Sequence, residues 1–174
     1  HRLDGATHSS GAVLNRRRIG ENMTTIIWFR EDLRLSDQAA VRAAAEDGPV
    51  VPVYVLDDTS PGKWKMGGAQ RWWLHHSLKS LSESLREKGL RLILLKGEAS
   101  VKIGALADKL GIERVHAVQH YEPWWKAQEE KLSNRLELCL HPGRLLAPPG
   151  SVTTKSGDPY KIYTPFWRSL QGIM

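Results

Sequence analysis

From Thr24 onward, short apolar runs alternate with longer stretches whose apolar residues recur every three or four positions. The first run, Ile26, Ile27, Trp28 and Phe29, has no polar member, as expected of a strand covered on both faces. Val50, Val51, Val53, Tyr54, Val55 and Leu56 make the second, and Pro52 puts an interruption near its edge or start. Residues 92–95 and 114–118 give a third and fourth strand, and residues 138–140 a short fifth.

The stretches between them predict helices. Ser36 is positioned to cap one that starts at Asp37, carries Ala40, Val41 and Ala44 on one face, and stops at Gly48-Pro49. Leu74, Leu78, Leu81 and Leu85 fall on one stripe of a second, which Gly89 ends. Trp72 and Trp73 open that helix, one expected to pack inward and the other outward. Ser100 is expected to cap a third helix with Ile103, Leu106, Ala107 and Leu110 inward, closed by Gly111. Residues 124–136 predict a fourth. The order βαβαβαβαβ implies a three-layer, Rossmann-like α/β fold, with a five-stranded parallel sheet flanked by helices and joined by right-handed crossovers. Ligands of such sheets bind at the carboxyl ends of the strands. That singles out the loops 30–36, 57–68, 96–100 and 119–125.

Both ends of the chain read differently. Residues 1–22 are polar, rich in Gly, Ser, Asn and Arg, and predict a disordered leader or a remnant of upstream translation ahead of Met23. A short basic nucleic-acid-binding arm is the sharper alternative. Residues 23–141 form the α/β domain. Residues 142–174 read as a Pro- and Gly-rich linker followed by the start of a further helix near Thr164 to Trp167.

Composition adds limits. The chain has 174 residues, 25 Lys and Arg against 19 Asp and Glu, and a net charge of +6. That is room for one domain with a proper core, and a basic balance that favours polyanions. The single cysteine, Cys139, rules out an internal disulfide and fits a reducing cytoplasm. No apolar run approaches the ~20 residues of a membrane span, and no signal peptide is visible.

Several chemistries lack their motifs. No GxGxxG follows the first strand, and no GxxxxGK[ST] loop exists, which disfavours ordinary NAD enzymes and ATPases. His75 and His76 are adjacent on a helix, about 100° apart, and so ill-placed to share a metal. No strained nucleophile elbow marks a hydrolase. The first βα loop is the most informative stretch: Arg30-Glu31-Asp32-Leu33-Arg34-Leu35-Ser36-Asp37 sends two arginines and several acids out of a buried strand. The arginines could grip a phosphate or carboxylate, or pair with Asp32 and Asp37 and brace the loop. The paired tryptophans could likewise be core packing or a stacking surface for a flat ring.

Five blocks in order carry a resemblance: Trp28 to Asp37, Val53 to Asp57, Arg71 to Leu78, Tyr121-Glu122-Pro123, and Tyr160 to Trp167. Together they resemble the photolyase and cryptochrome family from Thr24 to about Arg168. Glu31 and Gln38 depart from the family's usual Arg and Asn. The resemblance implies the N-terminal antenna domain of a light-driven enzyme that repairs cyclobutane pyrimidine dimers, a deoxyribodipyrimidine photo-lyase. FAD and the ultraviolet-damaged DNA would be bound by a helical domain beyond the α/β domain, so the chain as given would not itself be catalytic. The antenna chromophore would be a folate, a deazaflavin or FMN. Arg30, Asp32, Arg34, Asp57 and Glu122 would hold a deazaflavin or FMN, and Trp124 could stack on a pterin. The folate arrangement uses polar groups just after the Tyr-Glu turn, where Pro123, Trp124 and Trp125 stand here. A cytoplasmic monomer is expected. A cryptochrome photoreceptor and a free-standing nucleotide-binding module are the alternatives.

Overall fold

The computed structural model describes residues 23–173; the expected leader lies outside the described residues. Five strands form one parallel sheet: β1 (Thr25–Phe29), β2 (Val50–Leu56), β3 (Ile93–Lys96), β4 (Arg114–Val118) and β5 (Glu137–His141), in the order β3-β2-β1-β4-β5. The helices between them are α1 (Ala39–Asp47), α2 (Gly68–Glu87), α3 (Ala99–Leu110) and α4 (Pro123–Ser133). A 3₁₀ turn at Gly62–Trp64 precedes α2, and α5 (Tyr163–Gln171) follows an irregular stretch.

The alternation of side chains along β1 divides the core in two. Ile26 and Trp28 join Val53, Val55, Ile103, Ala107, Val115, Ala117, Trp125 and Leu132 on the side of α3 and α4. Ile27 and Phe29 join Ala44, Tyr54, Leu81 and Leu85 on the side of α1 and α2. Each face of the sheet thus buries a separate layer, which is why β1 is apolar at every position after Thr25. β3 is a sheet edge, with Leu94 61 % exposed.

Three helix expectations need correction. α1 begins at Ala39, not at Asp37, and no side chain caps it. Asp37 adopts a left-handed backbone (φ 51°), which ends the loop before the helix can start. The neighbouring Gln38 side chain turns back to donate to the Asp32 and Arg34 carbonyls at 2.9 and 3.1 Å. Ser100 does not cap α3; Glu98 stands at the cap position, and the Asp57 carboxylate, from the end of β2, accepts the Ala99 N–H at 3.0 Å. Leu110 is 47 % exposed, because the last turn of α3 runs past the sheet. The two α2 tryptophans also differ from expectation: Trp72 and Trp73 both face outward, 64 % and 69 % exposed. The leucine stripe below them already fills the inner face.

Candidate functional site at the strand ends

β1 lies between β2 and β4, so the chain leaves β1 in one direction and returns on its other side at β4. The carboxyl ends of β1 and β4 flank the switch point where an open α/β sheet usually takes a ligand. Arg30 follows directly from β1 and is buried. Its Nη1 donates to Glu129 of α4 at 2.6 Å, and its Nη2 donates to the Val118 carbonyl at the end of β4. The guanidinium lies over the Trp28 ring, 4.4 Å from the centroid, with Trp125 at 5.4 Å. Burial pushes the Arg30 pKa down, and Glu129 pulls it back. Arg30 therefore cross-links β1, β4 and α4, while its Nε is buried without a partner among the described residues.

A second arginine closes the crevice from outside. Arg144, just beyond β5, donates to Glu31 at 2.7 Å, to Glu122 at 2.9 Å and to His120 Nδ1 at 2.7 Å. Accepting at Nδ1 puts the His120 proton on Nε2, which is buried and has no partner among the described residues. Burial, with Arg30 and Arg144 close by, lowers the His120 pKa to about 3. The ring is neutral at physiological pH. Burial alone would raise the Glu122 carboxyl, but backbone N–H groups and Arg144 hold it below its usual range. Glu31, His120 and Glu122 could together ligate a metal, yet the Arg144 guanidinium bridges all three.

The open space is on the other side of the first loop. A groove of about 790 Å³ runs between that loop and the first half of α2. Leu33, Met66, Leu74 and Trp73 give it an apolar lining, and Arg30, Arg34, Gln70 and His76 supply polar groups. Tyr54 also lines it; burial, then Glu31 and Asp58, push its phenol up to about 12, so it remains a neutral donor. Volume and lining suit a small organic ligand.

The sequence of residues 25–174 matches the family model described as DNA photolyase. The chain belongs to the DNA photolyase family. It is 44 % identical over 153 residues to the deoxyribodipyrimidine photo-lyase of Agrobacterium fabrum, covering 84 % of this chain and 31 % of that protein. It is 32 % identical over 171 residues to cryptochrome-2 of Arabidopsis thaliana, covering 86 % and 26 %. Among solved structures it resembles a bacterial class III photolyase from Agrobacterium tumefaciens, with 45 % identity, TM-score 0.77, and coverage of 87 % and 32 %. It also resembles an archaeal photolyase from Sulfolobus tokodaii solved with two FAD molecules, with 27 % identity, TM-score 0.71, and coverage of 87 % and 35 %. The chain spans about a third of the length of these photolyases.

The residues singled out from the photolyase resemblance fall into four groups. Arg30 and Arg34 line the groove; Arg34 is half-exposed, 3.6 Å from Asp32, and donates to the Asp37 carbonyl at 3.0 Å. Glu122 belongs to the Arg144 cluster, and Trp124 packs partly against the α3–α4 core layer. Asp57 is buried and fully engaged: it accepts from the N–H groups of Thr59, Ser60 and Ala99 and from the Ser60 hydroxyl. Burial would raise its pKa, but those donors hold it below the ordinary carboxylate range. Sequence reasoning missed Glu129, His120 and Arg144. For Glu129 a signal existed: Trp125, Gln128, Glu129 and Leu132 share an inward helical stripe, and a charge on such a stripe calls for a buried partner.

Proposed function

We propose that this chain is the light-harvesting α/β module of a deoxyribodipyrimidine photo-lyase, and that the groove beside the first loop receives the antenna chromophore. One observation carries this reading: the strand-end space that the chain leaves open is apolar, edged by arginine, and next to the loop that carries the family's signature. The chromophore would be a folate, a deazaflavin or FMN; when bound it supplies absorption of near-ultraviolet and blue light and passes the excitation on. Trp73, Leu33, Met66 and Leu74 would hold its flat ring and keep water from it. Arg34 would pair with its anionic tail, and Tyr54 would offer a neutral hydroxyl. Asp32 would set Arg34 in place. FAD and damaged DNA belong, in this reading, to the whole protein, in which a flipped-out pyrimidine dimer would meet the flavin.

Titrating the chain with FMN, a deazaflavin and 5,10-methenyltetrahydrofolate, followed by absorbance and Trp quenching, tests the groove. Binding of one of them, weakened at least tenfold by Arg34→Ala or Trp73→Ala, is expected. Failure of all three removes the antenna role. For the protein with FAD bound, dimer splitting under blue light and not in darkness is expected; light absorption without repair would make it a cryptochrome instead.

A further inference from the structure

Beside that groove, the most conspicuous feature on the surface is a run of exposed indoles in a stretch without acids. Residues 59–82 contain no Asp or Glu, but include Lys63, Lys65, Arg71 and Lys79 together with Trp64, Trp72 and Trp73. Trp64 is 68 % exposed, Trp72 64 % and Trp73 69 %. Exposing three indoles to water opposes the hydrophobic effect, and large aromatic side chains left outside mark surfaces that meet something. The loop before α2 is held in place rather than loose. Arg71 donates to the Asp58 carboxylate at 2.6 Å and to the Met66 carbonyl at 3.2 Å, which pins Lys63, Trp64 and Lys65 beside the first turns of α2. Trp72 packs against the edge of His76, with ring centroids 4.4 Å apart, and Lys63 Nζ sits 5.5 Å from the Trp64 ring. Arg71 is spent on Asp58, whereas Lys63, Lys65 and Lys79 have no carboxylate partner among the described residues.

We propose that this face, the loop 62–66 with the outer side of the first half of α2, binds single-stranded DNA. Two kinds of group must be met at once: flat apolar rings and unpaired cations. A single strand offers both, bases with free π-faces and a phosphate for each base. Duplex DNA offers the phosphates but hides the faces, and an acidic protein surface offers charge without rings. The proposal does not depend on the antenna reading, because Trp64, Trp72, Lys63 and Lys65 do not line the groove.

The test is fluorescence anisotropy of a labelled oligothymidylate of about 15 nucleotides, titrated with the full chain at several salt concentrations, with Trp quenching read in parallel. Binding should weaken with salt at a log–log slope of about −2, roughly 0.7 for each of three lysine–phosphate contacts. Trp64→Ala and Trp72→Ala should each weaken it about tenfold, as loss of one stacked base would. The pair Lys63→Glu and Lys65→Glu should flatten the salt slope. Because these side chains are exposed, circular dichroism of every variant should match the parent, and chromophore binding should persist. Equal binding by the tryptophan variants, tighter binding of a duplex of the same length, or equal quenching by heparin, a polyanion without bases, would each overturn the proposal. So would no binding at about 20 mM salt, where such contacts are strongest.

Discussion

The two strand-end spaces on either side of Arg30 are opposites. Between β1 and β4, where the topology of the sheet would seat a ligand, the chain has filled the crevice itself: Arg30 is clamped to Glu129 and Val118, and Arg144 spans Glu31, His120 and Glu122. On the α2 side, over Tyr54 and Leu33, it leaves an apolar groove of about 790 Å³. Both draw on the same loop, and both contain arginine. What separates them is how deeply the cations and their partners are buried. A buried guanidinium that faces a carboxylate at 2.6 Å braces the fold, whereas the half-exposed Arg34, 3.6 Å from Asp32 and beside open apolar walls, keeps a solvent-facing side for a ligand. Strand order therefore locates the neighbourhood of a site, and unfilled volume marks the candidate within it.

The contrast can be broken from its closed side first. Glu129→Ala leaves Arg30 charged and buried, and should cost about 3–5 kcal/mol in urea denaturation; a loss below about 1 kcal/mol would show that the crevice is no brace. Acid should come next. The unfolded His120 ring protonates near 6.5 and the folded one only near 3, so the unfolded state takes up a proton that the folded state refuses. Stability should be full above about pH 6.5 and erode as the pH falls toward 3. Burial also lowers His116 and His141, which adds erosion of the same sign. His120→Gln should lose part of this slope between pH 7 and pH 5, and an unchanged slope would remove His120 from the account. Arg144→Gln should cost about 1 kcal/mol, because its ion pairs are half-exposed and screened; faster amide exchange at residues 142–146 would report the released segment. Smallest in stability is Arg34→Ala, expected within about 0.5 kcal/mol of the parent while chromophore affinity falls. If Arg34→Ala unfolded the protein and Glu129→Ala did not, the two spaces would have been assigned the wrong way round.

The sheet could be read from the sequence because β1, β2 and β3 carry near-continuous apolar runs and the helices repeating stripes, and both patterns are local. Parallel pairing and the two-sided burial of β1 follow from them, whereas the strand order β3-β2-β1-β4-β5 depends on how the crossovers pack. Ends of helices were harder. Asp57 caps α3 from 42 residues away, and no local motif could announce it. Ser36 and Ser100 satisfied the local capping rule but were overruled, one by the left-handed Asp37 and the other by that distant carboxylate. The candidate site was half legible. Arg30 and Arg34 were found from the loop, but their opposite duties depend on Glu129, Met66 and Trp73, which come from three other elements. Arg144 could not be seen at all, since nothing in a Pro-Gly stretch says which way its one arginine points.

β3 ends the sheet with four residues, and its outer rim has no strand partner among the described residues. A row of unanswered N–H and C=O groups, with Leu94 beside it, is a template on which a second polypeptide could lay a strand. Brevity limits the foothold, and Lys96 at its end sets a charge in the path of any growing ladder. Self-association of this chain at high concentration would therefore begin along this rim, and replacing Lys96 with an aliphatic residue would hasten it.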